Sequence, residues 1–382
     1  GRADRRHADL ARRRRGGGPA RRGGRAAMIL LAGDIGGTKT TVGLFDGGRR
    51  DPARDAPATI VRRTYPSQDF DGLSPLLRRF LDEVRGDGAI AADATIATAC
   101  FGVAGPAIEN RVETPNLPWV VDGRALAGEL AVPYVELIND LVATAEGIDA
   151  LTGDELRTLN PGKPQPGPRR ARALVAAGTG LGLALLMPTA QGWTVFPSEG
   201  GHADYAPGDD DELALLRFLR ARYPGHVSAE RVASGMAIPS LYEFACAHHP
   251  EWPQPDDVRA ALAADRDRAT PLITRHAIDE SCRLSALAMR LFVRSYGAVA
   301  GNLALTAFAT GGVFVGGGVA PKILPLLERG TFLDGFARKG RFEAFLRDIP
   351  VAVILNGDAA LLGAARRVWT DPPLAARGGA AS

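Results

Sequence analysis

The run GDIGGTKTTVGLF at residues 33–45 decides how the chain folds. Leu30, Leu31 and Ile35 form an apolar stretch that stops at Gly36-Gly37. Val42, Leu44 and Phe45 then form another. A glycine pair after a buried strand often cradles phosphate, but the familiar phosphate loop opens a helix. Here the second apolar run has the look of a strand, so the glycines are expected in a hairpin turn. The same plan returns roughly 140 residues later in AAGTGLGLALLMP, residues 176–188. Two such hairpins imply two similar α/β halves, each contributing one phosphate-gripping turn.

Around these anchors, short apolar strands alternate with amphipathic segments. FDGLSPLLRRFLDEVR (70–85) places Leu73, Leu76, Leu77, Phe80, Leu81 and Val84 on one helical face. ATIATACFGVAGP reads as strand into glycine loop. VPYVELIND reads as a strand, followed by a helix over LVATAEGIDAL. NPGKPQPGPRRA (160–171), with four prolines, reads as a loop or boundary. Residues 210–300 are mainly helical in pattern, broken by HHPEWPQPDD. FATGGVFVGGGVAPKILPLL reads as strand, triple glycine and helix, and IPVAVILNGDAALLGAARRV as strand and helix.

With 382 residues the chain can bury a large core and divides into two domains. The expected bounds are 28–150, completed by the helix at 357–369, and 151–356. Residues 1–27 hold ten Arg and two Asp, which leaves 36 basic and 41 acidic residues in the rest. The folded part is therefore mildly acidic and not built for nucleic acid. The basic stretch has no apolar run of the kind a signal peptide needs. It reads as a disordered arm or as sequence ahead of a start at Met28, and 370–382 as a frayed tail. Residues 295–321 are uncharged and long enough to cross a bilayer. Their eight glycines or prolines favour a buried helix, turn and strand instead, so no membrane association is expected. Cys100, Cys246 and Cys282 are widely spaced, which argues against structural zinc or a disulfide framework and for a cytoplasmic location.

Ten segments in order carry a resemblance: GDIGGTKT, FGVAGP, TPNLPW, LINDL, AAGTGLG, SEGGHADYAP, ERVASG, GGVFVGGGVAPK, KGRF and LLGAA. From Met28 to Val368 the chain resembles the bacterial glucokinase family of the hexokinase–actin-like superfamily. No cysteine follows EGGHADYAP before Cys246, so it is similar to the zinc-free branch and not to the repressor–kinase relatives. Lys39 departs from that pattern: it is typical of the repressor–kinase group, where the closest glucokinases often have Asn. The resemblance implies a two-domain hexokinase/actin-like (ribonuclease H-like) α/β fold with a central cleft. It further implies ATP-dependent phosphorylation of glucose at the 6-hydroxyl, the first step of glycolysis, in a homodimer.

The same resemblance assigns the residues. Gly33, Asp34, Ile35, Gly36, Gly37, Thr38 and Lys39 form the first phosphate turn, and Gly178, Thr179 and Gly180 the second. Gly316, Gly317 and Gly318 correspond to the adenosine segment. Asp34 corresponds to the acid that orients Mg²⁺ through water. Asp140 is implied as the general base and a sugar ligand, with Asn116, Asn139, Glu199, His202 and Glu230 as further sugar ligands. Read locally, Asn-Asp before LVATAEG is also a helix cap, whose helix N-terminus would keep Asp140 ionised. His202 also reads as a satisfied loop histidine, Glu230 as a solvated partner of Arg231, and the triple glycine as strand-on-helix packing. His248 and His249, in a proline-rich loop, receive no role. A kinase for fructose, mannose or an N-acetylated amino sugar remains open at this point. So does a sugar-sensing regulator, although 27 residues are too few for the helix-turn-helix such regulators generally add.

Overall fold

The computed structural model describes residues 28–163, 168–190 and 192–371. The basic arm, residues 372–382 and part of the proline-rich loop lie outside the described residues.

The first half runs β1 (Ile29–Ile35), β2 (Lys39–Arg50), β3 (Pro57–Pro66), α1 (Leu73–Gly86), β4 (Ile96–Val103), β5 (Arg111–Glu113), β6 (Val120–Asp122), α2 (Gly123–Leu130), β7 (Val135–Asn139) and α3 (Asp140–Gly147). Its sheet has the order β3-β2-β1-β4-β7. β1, β2 and β3 pair antiparallel, while β4 and β7 run parallel to β1. β5 and β6 make a separate small hairpin. The six apolar residues expected on one face of α1 are all buried, each contributing roughly 2 kcal/mol.

The second half begins with β8 (Leu156–Asn160), β9 (Arg172–Ala177), β10 (Leu181–Pro188) and β11 (Trp193–Ser198). A helical block follows: α4 (Asp210–Arg222), α5 (Glu230–Ala233), α6 (Ala237–His248), α7 (Asp256–Ala264), α8 (Arg266–Ile278) and α9 (Arg283–Ala307). Then come β12 (Val313–Gly316), α10 (Leu324–Leu327), α11 (Thr331–Ala337), α12 (Glu343–Arg347), β13 (Val351–Ile354) and α13 (Ala359–Thr370). The sheet order is β11-β10-β9-β12-β13-β8. Its first five strands repeat the plan of the other sheet: three antiparallel, then two parallel to the first of them. β8 is an addition, antiparallel on β13. The two halves suggested by the paired hairpins are thus two copies of one sheet.

Two helices join the copies. α13 leaves the second sheet and packs on the first, where Ala360, Leu361, Ala364, Ala365 and Val368 cover Leu30, Ala32, Phe45 and Cys100. α3 crosses α13, and Ala145 and Ile148 pack with Leu174, Ala184 and Leu186 of the second sheet. At the crossing, a Cβ on Gly363 would lie 1.8 Å from the Ala143 carbonyl oxygen, and one on Gly147 would lie 2.0 Å from that of Ala359. Only glycine allows the two backbones this approach.

Two local expectations change. His248 is the last residue of α6 and not part of a loop, and His249 stacks on Trp252 at 3.8 Å between ring centroids. The triple glycine leads into a 3₁₀ turn, Ala320–Ile323, before α10. The uncharged stretch 295–321 is, as expected, the buried end of α9, a turn and β12. Among the described residues no helix is long and apolar enough to cross a membrane.

Candidate active site

Asp34 is the last polar residue of β1 before the first turn, and pairs in register with Thr41 of β2. Strand alternation sends its carboxyl to the α13 face while Ile35, 1% exposed, enters the opposite core. Gly33 stays within the sheet, against Phe101. The turn itself closes with the Gly36 N–H donating to the Lys39 carbonyl at 3.1 Å. Ser67 braces it from the side. Its hydroxyl donates to the Gly36 carbonyl (2.6 Å), and its N–H donates to the Thr38 carbonyl (3.0 Å). Ser67 is fully buried and also meets the Thr40 hydroxyl at 2.9 Å.

The second turn repeats this position between β9 and β10. The Gly178 N–H donates to the Gly180 carbonyl at 2.9 Å, and the Gly235 N–H donates to Gly178 at 2.8 Å. Neither pair of turn glycines has left-handed φ, but a Cβ on Gly37 would lie 2.7 Å from the Asn116 Cβ and one on Gly180 would lie 2.6 Å from the Glu230 Oε2. Gly178 is open: a Cβ there would meet nothing within 4 Å. Gly317 is the glycine that needs its conformation, with φ at +80° and its Cα against the Ala177 carbonyl. It holds the Gly316–Gly318 segment beside the second turn, helped by the Val319 N–H donating to Ala177 at 3.0 Å. Below them the buried Tyr296 hydroxyl accepts from the Ala177 N–H (3.1 Å) and donates toward the Gly316 carbonyl (3.0 Å). Tyr296 thereby ties the second turn to the Gly316–Gly318 segment.

Asn139 and Asp140 divide the two roles the sequence left open. Asn139 is the cap: its Oδ1 accepts from the N–H groups of Leu141 (2.9 Å) and Val142 (3.4 Å), and its Nδ2 donates to Gly105 (3.0 Å). Asp140 is the first residue of α3, and its Oδ1 accepts from the Leu141 N–H at 2.9 Å. The helix terminus does not keep it at an ordinary acidity. Burial pushes its carboxyl up, outweighing the hydrogen bonds from Leu141 and Asn139. Asp34 is pushed up to about 7, first by burial and then by the negative charge of Asp140, with a smaller push from Asp358. Lys39 acts the other way on it. A buried carboxyl whose charge is disfavoured by a second one, at the ends of the parallel strands β1, β4 and β7, forms a site that favours a cation. Among the described residues no three acidic, His or Cys side chains cluster around a metal.

The remaining candidates lie against the two turns or the strand that leaves the second. Asn116, in the loop between β5 and β6, sits against Gly37. The Glu230 Oε2 accepts from the Leu181 N–H at 3.0 Å, so Glu230 lies against the second turn and is not a solvated partner of Arg231. Arg231 instead lies over the Tyr223 ring. Glu199 and His202 occupy a 3₁₀ turn after β11, with 86% and 62% of their side chains exposed. Gly201 of this turn packs against the Leu181 carbonyl, which brings the turn close to β10. The sequence reading missed Ser67, Tyr296 and Asp358. Asp358 precedes α13 and pairs with Arg62 of β3 at 3.2 Å.

A chain with two ribonuclease H-like sheets and an acidic pair beside two glycine turns has known counterparts. The glucokinase family model matches residues 31–370. The chain belongs to the glucokinase family. A glucokinase from Synechocystis sp. is 40% identical over 345 residues, 88% of this chain and 96% of that protein. The glucokinase from Cronobacter sakazakii is 35% identical over 338 residues, 87% of this chain and 95% of that protein. Among solved structures, the crystal structure of a glucokinase from an Antarctic psychrotroph superposes with a TM-score of 0.75. It is 29% identical and covers 90% of this chain and 99% of its own. The glucokinase family places this chain among the sugar kinases, with the two-domain hexokinase/actin-like fold.

Proposed function

We propose that the chain phosphorylates glucose on its 6-hydroxyl with ATP·Mg, giving glucose 6-phosphate and ADP. One observation supports the reading beyond family membership: the negative charge of Asp140 reaches the buried Asp34 and raises its proton affinity, with Lys39 of the first turn acting the other way. Asp140, on α3, accepts the hydroxyl proton as the sugar oxygen bonds to the γ-phosphorus and the bond to the β-phosphate oxygen breaks. A proton affinity shifted upward toward the working pH makes the carboxylate a stronger base. N–H groups of the 36–39 and 178–180 turns hold the phosphates, and the Gly316–Gly318 segment receives adenosine. Asp34, with Lys39 beside it, would hold Mg²⁺, which neutralises phosphate charge when bound. Asn116, Asn139, Glu199, His202 and Glu230 orient the sugar from both halves. The chain works in the cytoplasm as a homodimer, at the entry of glucose into glycolysis.

A coupled assay over glucose, fructose, mannose and N-acetylmannosamine, with ATP, ADP or polyphosphate as donor, tests this. Glucose with ATP is expected to give the highest kcat/KM, with activity lost on chelating Mg²⁺. A tenfold or greater preference for another sugar or donor refutes the assignment. Light scattering tests the dimer.

A further inference from the structure

Both ring nitrogens of His226 face oxygen acceptors. Nε2 lies 2.8 Å from the carbonyl oxygen of His202, and Nδ1 lies 3.2 Å from Oδ1 of Asp204. A neutral imidazole donates one hydrogen bond, whereas an imidazolium donates both. The first acceptor belongs to the turn that carries Glu199 and His202. The second belongs to the segment leaving that turn.

His226 also sits at one end of a short backbone ladder. The Tyr205 N–H donates to Val227 (2.9 Å), the Ala229 N–H donates to Ala203 (2.8 Å), and Asp204 bridges Ser228. The far end of this ladder runs directly into Glu230. One imidazole thus ties the turn bearing Glu199 and His202 to the segment bearing Glu230. The side chains of that turn do little to fix themselves: Glu199 and His202 are mostly exposed and 3.9 Å apart. Their placement follows from the backbone, and His226 holds that backbone where the turn meets the ladder.

We infer that His226 is a positioning residue for the sugar, braced by Asp204 and acting through the His202 carbonyl. This rests on the reading that Glu199, His202 and Glu230 hold the sugar. The ring is half-exposed and outside the hydrophobic core, so its removal tests position more than folding.

Steady-state kinetics on the full chain, with thermal melts, separate the cases. His226→Ala is expected to raise the KM for glucose roughly 10- to 100-fold, with kcat, the KM for ATP and the melting temperature near wild type. His226→Gln places an amide N–H near the Nε2 position and restores most of the KM. His226→Asn places one near Nδ1, keeps only the Asp204 bond, and stays impaired. An unchanged KM in His226→Ala overturns the inference. So does equal rescue by Gln and Asn, or a defect that follows lost thermal stability. Glu230→Gln is the control for the underlying reading: if it leaves the KM for glucose unchanged, the sugar assignment falls and the inference with it. If Glu230→Gln raises that KM and His226→Ala does not, only the positioning role is lost.

Discussion

The crossing of α3 and α13 makes a quantitative claim. A Cβ on Gly363 would lie 1.8 Å from the Ala143 carbonyl oxygen and 2.6 Å from the Gly147 nitrogen. Carbon and carbonyl oxygen sit comfortably at about 3.3 Å, so Gly363→Ala must part the helices by about 1.5 Å. A gap of that order forfeits a large share of the dispersion contacts along the seam. The seam is close-packed, with Ala143, Ala145 and residues 359–362, 364 and 365 all buried. Overpacking of this kind costs about 3 kcal/mol. With a urea slope of about 3 kcal/mol/M, the midpoint drops by about 1 M. The displacement also reaches the reaction, because α3 begins at Asp140. Moving it by an ångström is expected to lower kcat roughly 10- to 100-fold. Gly128→Ala in α2 is the comparison: its Cβ would meet nothing within 4 Å, and alanine is the better helix former. That variant is expected to unfold at or slightly above the wild-type midpoint. If Gly363→Ala matches wild type in both midpoint and kcat, the crossing is not the tight seam described here.

Asp140→Asn is expected to lower kcat by roughly 10²- to 10⁴-fold while leaving the melting temperature unreduced, since it removes a buried charge; a kcat within threefold of wild type sinks the base assignment. In the proposed mechanism Asp140 works as the carboxylate, and burial raises its proton affinity. Activity is therefore present above its folded-state pKa and lost as pH falls through it, so the acid limb of kcat/KM should lie above the ordinary aspartate range of about 4. A limb at or below that value contradicts the burial argument. Arg367 donates to Glu136 at 3.0 Å and to the buried Glu146 at 3.4 Å, across α13, β7 and α3. Arg367→Met leaves Glu146 with Arg366 alone, at 3.8 Å, and is expected to cost about 3 kcal/mol in urea unfolding. An unchanged midpoint would mean the network adds nothing to the joint.

The legible part of this chain was the part with short-range grammar. A turn between two apolar runs predicts a hairpin because the strands alternate around it, and both hairpins, β1–β2 and β9–β10, stand where expected. The face of α1 was legible for the same reason, since burial repeats at helical spacing. Ser67 and Tyr296 were not, because each acts through a single hydroxyl on a distant carbonyl, at separations of 31 and 20 residues. A serine after Tyr-Pro, or a tyrosine inside a long apolar helix, carries no local mark of that task.

Asn139 and Asp140 show a different limit. Adjacent polar residues at a strand-to-helix junction offer one cap and one free carboxyl, and composition cannot say which is which. Backbone geometry decides. The residue with extended φ and ψ, Asn139 at −63° and 146°, takes the cap, which leaves the next residue inside the first helical turn. Had Asp140 been the cap, its oxygens would have been occupied by N–H donors and its proton affinity lowered. With Asn139 in that place, burial outweighs the hydrogen bonds Asp140 accepts and raises its proton affinity. A neutral cap beside a buried acid is therefore the local arrangement that the proposed base requires, and exchanging the order of the pair should abolish activity while keeping the helix.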